Sequence, residues 1–88
     1  MGDFMVYVYV LEGVDTEKRY VGITNNLDRR LIEHRSKRTK GGQLLGDFTL
    51  LHVEHFRNYN VARKREIFLK SGQGRKLLTE RYPRTRPA

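Results

Sequence analysis

The fold of this chain is decided by residues 6–34, which have the sequence VYVYVLEGVDTEKRYVGITNNLDRRLIEH. Met5 to Leu11 is apolar on both faces of an extended chain, since valines alternate there with larger apolar side chains. This pattern predicts a strand that is covered on both sides and is therefore central in its sheet. Glu12 to Arg19 is a predicted hairpin loop, and Tyr20 to Thr24 is the predicted return strand. Gly22 within it is typical of a bulge or of a close approach by a ligand.

A helix is predicted directly after the second strand. Asn25-Asn26 offers an N-cap at its start. At about 100° per residue, one face of the helix carries an apolar stripe with a histidine in it and a cation on its flank. These side chains are Leu27, Leu31, His34 and the flanking Arg30. We expect the helix to end near Lys37 and a flexible basic loop to follow around Gly41-Gly42.

Two further helices are predicted in the second half of the chain. Asn58 or Asn60 caps a helix from Val61 to Lys70, and Gly72 ends it. A last short helix is expected from Arg75 to Arg81.

A third β-rich segment lies between the predicted helices, from Phe48 to Phe56. Its candidate core residues are Leu50, Leu51 and Val53. With the two strands of the hairpin, this segment predicts an α/β fold of the α+β type. The expected architecture is a small, mainly antiparallel three-stranded sheet flanked by helices.

The length of 88 residues predicts one domain with one modest core. We expect residues 1–82 to form this domain and residues 83–88 to form a disordered basic tail. No stretch approaches the roughly 18 apolar residues of a membrane span, and the N-terminus lacks the basic region of a signal peptide. Cys is absent, which excludes disulfide scaffolds and thiolate metal sites. We therefore expect a cytoplasmic protein without a membrane partner or an obligate protein partner.

The net charge of +8 is unevenly distributed along the chain. Residues 1–56 hold eight Lys/Arg and eight Asp/Glu, whereas residues 57–88 hold ten Lys/Arg and only two acids. Basic clusters bind polyanions by releasing counterions, although an isolated charge run is more often a solvated surface. The asymmetry favours nucleic acid over an acidic protein or a membrane surface. The predicted phosphate-contacting residues are Arg35, Lys37, Arg38, Lys40, Arg63, Arg65, Lys70, Arg75 and Lys76.

Five side chains supply the chemical groups that phosphodiester hydrolysis requires. The reaction needs a water nucleophile, an acceptor for its proton and cations for the charge that develops on phosphorus. A divalent metal commonly assists the departing oxygen, and Mg²⁺ needs few protein carboxylates because substrate phosphates and waters complete its shell. Each of these roles has one candidate. The candidates are Tyr9, Tyr20, Arg30, His34 and Glu66.

Each candidate also has an ordinary structural explanation, which is the commoner one for a single residue. Strand tyrosines are usually core residues whose hydroxyl has a partner. An arginine on a helix flank can extend past its apolar neighbours to solvent, and a helix histidine can be half-buried. Glu66 can pair with Lys70 four residues later or with Arg63 three residues earlier. The residues alone leave both interpretations open.

The spacing of these residues resembles the GIY-YIG (URI) nuclease superfamily, specifically its small single-domain bacterial members. Tyr7-Val8-Tyr9 stands where the first motif ends in tyrosine, and Tyr20-Val21-Gly22 stands for the second. Arg30 follows Gly22 by eight residues and His34 follows Arg30 by four, as in that family. Glu66 stands for the metal-binding glutamate of that family, and Arg65 stands for the basic residue that often precedes it. The resemblance covers residues 5–78, but the first motif lacks its glycine and isoleucine.

The resemblance implies a metal-dependent endonuclease that hydrolyses phosphodiester bonds in DNA. It implies one Mg²⁺ or Mn²⁺ on Glu66, with Arg30 stabilising the transition state. Tyr9 would take the proton of the water with the help of His34, and Tyr20 would orient the water or the phosphate. Larger relatives add an asparagine beyond the glutamate, where this chain offers only Gln73. The alternative is a module that binds DNA or RNA on the same basic surface without cutting it.

Overall fold

The computed structural model describes residues 4–84 and contains a three-stranded antiparallel sheet with four helices in that range. The elements in chain order are β1 (Val6–Gly13), β2 (Arg19–Thr24), α1 (Leu27–Arg35), α2 (Lys40–Leu45), β3 (Phe48–Phe56), α3 (Tyr59–Lys70) and α4 (Gly72–Arg81). The α+β prediction is confirmed. The tail predicted for residues 83–88 lies, from residue 85 onward, outside the described residues.

The strand β1 is central, as its two apolar faces predicted, since the strand order is β2-β1-β3. Its three valines are fully buried and form one core with Ala62, Leu69 and Leu78 of α3 and α4. On the opposite face, Tyr9 and Leu11 form a second core with residues of α1 and α2. The sheet therefore separates two helix pairs, and Tyr9 points toward α1 and α2.

The prediction that Leu50 and Val53 are core residues is wrong, because these side chains are 41% and 43% exposed. Val53 lies opposite Tyr9 and Leu50 lies opposite Leu11, so both share the face that carries α1 and α2. These short helices reach only the start of the edge strand β3, where Phe48 packs beside His34, and they leave Leu50 and Val53 open. Leu51 is half-buried against the valine side of the core, as predicted.

The flexible loop predicted around Gly41-Gly42 is instead the helix α2. Thr39 caps this helix, since its Oγ1 accepts a hydrogen bond from the Gly42 N–H at 3.0 Å. Both glycines are buried, and a side chain at Gly42 would collide with the backbone carbonyl of His34. The Gly-Gly pair therefore lets α2 approach α1 closely.

Side-chain caps start α3 at Tyr59 instead of Val61 and α4 at Gly72 instead of Arg75, whereas both helices end at the predicted residues, Lys70 and Arg81. Asn58 Oδ1 accepts hydrogen bonds from the backbone N–H groups of Asn60 and Val61, so α3 begins at Tyr59. Ser71 both ends α3 and caps α4, so Gly72 opens the last helix. None of the helices in residues 4–84 has the length and apolar character needed to cross a bilayer.

A chain of polar side chains ties β3 to α3 and α4. The Tyr82 hydroxyl lies 2.6 Å from His52 Nδ1, and His52 Nε2 lies 2.8 Å from Glu54. Arg65 donates two hydrogen bonds of 2.9 Å to the same carboxylate. Burial alone would raise the pKa of Glu54, but the bonds from Arg65 and His52 outweigh it and lower that pKa. Arg65, predicted to contact phosphate, is thus engaged in an internal ion pair.

Candidate active site

Tyr9 and His34 form the buried centre of the candidate active site. Both are fully buried, and the Tyr9 hydroxyl lies 2.8 Å from His34 Nε2. The other ring nitrogen, Nδ1, lies 2.6 Å from Thr39 Oγ1. Both nitrogens of this imidazole therefore have hydrogen-bond partners, which fixes the plane of the ring.

Thr39 positions the His34 ring and was not predicted from the sequence. Its hydroxyl oxygen accepts the Gly42 N–H and also meets His34 Nδ1, so one atom caps α2 and orients the imidazole. The available signal was the threonine itself, since threonine is one of the preferred N-cap residues. The expectation of a loop at this point concealed that signal.

His34 is a neutral imidazole at physiological pH. Burial lowers its pKa, and the positive charge of Arg30 lowers it further. A neutral ring has one N–H and one free lone pair. With the proton on Nδ1, the ring donates to Thr39 and its Nε2 accepts the hydroxyl proton of Tyr9. This tautomer makes His34 a proton acceptor for Tyr9.

The Tyr9 hydroxyl is protonated at neutral pH and is not a phenolate. Burial raises its pKa to about 12, although a hydrogen bond with Arg30 acts in the opposite direction. Nearby Tyr20 and Glu66 raise the pKa of Tyr9 as well. The cation therefore does not offset burial in the free protein, and the Tyr9 hydroxyl keeps its proton there.

Tyr20 and Gly22 of β2 shape the space around this pair. Gly22 lies directly opposite Tyr9 in the ladder, and a side chain there would collide with the Tyr9 ring and hydroxyl. The close approach predicted at this glycine is thus made by Tyr9 itself. The half-buried ring of Tyr20 lies 5.2 Å from the His34 ring and 6.4 Å from the Tyr9 ring, centroid to centroid.

Arg30 stands between the buried centre and the solvent. Its hydrogen bond with Tyr9 raises its own pKa, and its Nη1 also donates to Glu33 at 3.0 Å. About a third of its side chain is exposed, and it lines an open cavity of about 420 Å³ together with Arg29. A phosphate entering this cavity would meet the planar guanidinium, whose geometry suits two phosphate oxygens.

Glu66 is only 5% exposed, although its two oxygens meet exposed cations. Oε1 lies 3.4 Å from Arg63 Nη1, and Oε2 lies 3.0 Å from Lys70 Nζ. Both ion pairs that a purely structural role of Glu66 predicts are therefore present. The charge of Glu66 also contributes to the raised pKa of Tyr9, although less than burial and Tyr20 do.

The donor set tests whether a divalent metal fits at Glu66. In the described range 4–84, no three His, Cys, Asp or Glu side chains form a group that could enclose an ion. A fully protein-made cage is therefore not available there. A lone carboxylate fits the mode in which Mg²⁺ keeps its waters and shares the phosphates of the substrate. Glu66 fits that mode once Lys70 or Arg63 releases one of its oxygens.

Most of the predicted phosphate-contacting cations are exposed. Arg65 is the exception, as its guanidinium pairs with Glu54 and lies 5.2 Å from the Phe68 ring. Arg35 is exposed but lies over the Phe48 ring at 5.7 Å. The remaining exposed cations are Lys37, Arg38, Lys40, Arg63, Lys70, Arg75 and Lys76.

Comparisons with known proteins identify the family of this chain. The family model of the GIY-YIG catalytic domain matches residues 5–78. A UPF0213 protein of Clostridium perfringens is 39% identical over an alignment of 70 residues, and the match covers 75% of this chain and 71% of that protein. A UPF0213 protein of Natronomonas pharaonis is 39% identical over 69 residues, covering 74% of this chain and 76% of the relative.

A solved structure shows the same fold. The solution NMR structure of a UPF0213 protein from Bacillus halodurans superposes with a TM-score of 0.55 at 30% sequence identity. The superposition covers 89% of this chain and 85% of that one. The family model spans every candidate residue of the site, from Tyr9 to Glu66. The chain belongs to the GIY-YIG family of nuclease domains.

Proposed function

We propose that this protein is a divalent-metal-dependent endonuclease that hydrolyses phosphodiester bonds in DNA. The observation that carries the proposal is the hydrogen-bonded series Tyr9–His34–Thr39, with Arg30 at its solvent end. A neutral, fully oriented imidazole behind a tyrosine hydroxyl is a means of moving a proton. A purely structural tyrosine would need only one hydrogen-bond partner.

The first step assigned to the protein is the capture of the phosphate by Arg30. In the free protein, Arg30 hydrogen-bonds to Tyr9, whose exposed fraction is 0%. A substrate phosphate competes for the guanidinium and draws it away from the hydroxyl. The attacking water then takes the place of Arg30 against Tyr9. This exchange explains how a buried tyrosine meets water.

The second step is the proton transfer. As the water oxygen bonds to phosphorus, its proton passes to the Tyr9 oxygen, and the Tyr9 proton passes to His34 Nε2. The bond between phosphorus and the leaving strand breaks, and the released oxygen takes a proton from solvent. Because the charge of Arg30 lowers the pKa of His34, pairing Arg30 with phosphate makes the imidazole a better acceptor. The half-buried Tyr20 is placed to orient the water or the phosphate.

Glu66 is the residue that would hold the metal, as the resemblance to the family implies. When bound, one Mg²⁺ or Mn²⁺ supplies charge stabilisation for the phosphate and the leaving oxygen. Lys70 and Arg63 pair with Glu66 in the free protein and keep its negative charge compensated. Both are exposed and are free to turn toward neighbouring phosphates.

The test is cleavage of single-stranded, nicked and branched DNA, and of RNA, by the pure protein with Mn²⁺ or with EDTA. We expect cutting with Mn²⁺ and none with EDTA, on DNA in preference to RNA. The logarithm of the binding constant should fall linearly with the logarithm of the salt concentration, with a slope of about 0.9 per phosphate contact on duplex DNA. The absence of Mn²⁺-dependent cutting on every substrate would overturn the nuclease proposal, and binding that did not depend on salt would overturn both the nuclease and the binding module.

The second candidate is a module that binds nucleic acid without cutting it. The pairing of both Glu66 oxygens with Arg63 and Lys70 favours this function, because it gives the carboxylate a structural role. Such a module would show the same salt dependence but no Mn²⁺-dependent products. The cleavage assay separates the two functions directly.

A further inference from the structure

A second open cavity, of about 560 Å³, lies on the α4 side of Tyr20. This volume falls within the range of about 300–1,000 Å³ that is usual for ligand pockets. Five cations line it, and no carboxylate is among its described lining residues. The cations are Lys18, Arg19, Lys70, Arg75 and Arg84. Its chemistry therefore suits an anion.

Arg19 supplies an independent indication of an anionic ligand, since its side chain is only 8% exposed. Its Nε donates to Glu12 at 2.8 Å and its Nη2 donates to the Tyr82 carbonyl at 2.6 Å. The third nitrogen, Nη1, is buried and has no acceptor among residues 4–84. A buried charged donor without a partner is costly, and a phosphate oxygen is an acceptor that would satisfy it.

The cavity adjoins the candidate active site through two shared residues. Tyr20 lines the cavity, and its ring also packs 5.2 Å from the His34 ring. Lys70 lines the cavity, and its Nζ lies 3.0 Å from Glu66. A strand whose scissile phosphate is at Arg30 and Glu66 therefore has a neighbouring nucleotide within reach of this cavity.

One wall of the cavity is apolar. It includes Leu69 and Leu78 of the core and Leu44 of α2, which is 47% exposed. An exposed leucine beside a ring of cations suits a ligand that has both a flat apolar face and a negative charge. A nucleotide has both, whereas an inorganic anion has only the charge.

We infer that this cavity binds one unpaired nucleotide of the DNA strand next to the scissile phosphate. Its base lies against the apolar wall at Leu44, and its phosphate meets Arg19 and Arg75. The inference rests on the proposed nuclease function and names its substrate class. Unstacking a base costs a few kcal/mol in a duplex and far less in a single strand or at a branch. Substrates with an unpaired nucleotide at this place are therefore preferred.

The experiment is an NMR titration of ¹⁵N-labelled full-length protein, without metal, with three probes. The probes are 5′-phosphorylated trithymidylate, thymidine 5′-monophosphate and a blunt 20-base-pair duplex. We expect trithymidylate to shift the amide signals of Leu44, Lys70 and Thr79 and to bind more tightly than the mononucleotide. The duplex should leave the Leu44 signal in place. If the mononucleotide binds as tightly as the trinucleotide, the site serves free nucleotides and the inference is overturned.

Two matched pairs of variants accompany the titration. Arg75→Gln should weaken trithymidylate binding by roughly tenfold, since it removes a charged phosphate contact. Arg81→Gln removes the same charge from an exposed arginine of the same helix, which does not line the cavity, and should change binding less than twofold. Thr79→Trp fills the cavity and should abolish the Leu44 shift, whereas Gln73→Trp on the same helix should not. Equal effects within either pair would show ordinary surface attraction and would overturn the inference.

The same titration separates this inference from the proposed function. Glu66→Gln should abolish cleavage, whereas trithymidylate should bind as tightly as to the wild type or more tightly. Cleavage that depends on Glu66 without any cavity binding would overturn the cavity alone. Cavity binding in a folded protein that does not cut any substrate would overturn the nuclease function, on which the inference rests.

Discussion

Replacing Thr39 with valine tests whether the orientation of His34 depends on a single hydroxyl. The change keeps the shape of the side chain but removes Oγ1, which lies 2.6 Å from His34 Nδ1 and 3.0 Å from the Gly42 nitrogen. Loss of a helix N-cap costs about 1 kcal/mol, and a buried polar group without a partner costs about 1–3 kcal/mol. The free energy of unfolding should therefore fall by about 2–4 kcal/mol.

The assay is thermal and urea unfolding of the wild type, Thr39→Val and the control Thr39→Ser. For a domain of this size, about 1 kcal/mol shifts the melting temperature by about 4–8 °C. Thr39→Val should therefore melt at least roughly 8 °C below the wild type, and Thr39→Ser should stay near it. The cleavage rate should fall in Thr39→Val beyond what unfolding explains, with a changed pH profile. Equal stability and equal rates in both variants would refute the role assigned to Thr39.

Three further experiments test separate parts of the account. Gly22→Ala should lower stability by about 1–3 kcal/mol because its side chain meets the Tyr9 ring, whereas Gly72→Ala, with no described heavy atom within 4 Å, should not. Because the pKa of Glu54 is lowered in the folded protein, its ionised carboxylate contributes to the free energy of unfolding. This contribution is complete above pH 4.5 and is lost as the pH falls through the lowered pKa. Glu54→Gln should therefore flatten the acid limb of a pH–stability curve. Tyr9→Phe and Tyr20→Phe should both fold and lose cleavage, and a greater loss in Tyr20→Phe would contradict the assignment of Tyr9 as proton acceptor.

The sequence was most informative where one residue pattern had one physical solution. An apolar run on both faces fits only a central strand, and β1 is central. Asn26 and Asn58 cap α1 and α3 through their side chains, as their positions suggested. Arg30 and His34, four residues apart on α1, face the same tyrosine.

The sequence was less informative where distant packing decides the outcome. Gly-Gly predicts a loop locally, but at Gly41-Gly42 it permits the contact of α2 with α1. The exposure of Leu50 and Val53 depends on how far the short helices reach across the sheet. The raised pKa of Tyr9 also comes from burial that no spacing shows. Arg65 was expected at the phosphate surface, and only the fold reveals Glu54 beside it.

Glu66→Gln is the most direct test of the central claim, which is that this site cuts DNA with a metal held by one carboxylate. Glutamine keeps nearly the same volume in a position that is 5% exposed, and the lost pairs with Arg63 and Lys70 involve exposed cations worth under about 1 kcal/mol each. Glu80→Gln removes an exposed carboxylate from α4 and serves as the control.

The measurement compares cleavage rate and affinity on one substrate with Mn²⁺, with a melting curve for each protein. The account predicts that Glu66→Gln folds, binds DNA as tightly as the wild type or more tightly, and loses cleavage by orders of magnitude. Glu80→Gln should match the wild type in all three measurements. A folded Glu66→Gln protein that still cuts at the wild-type rate would contradict the account.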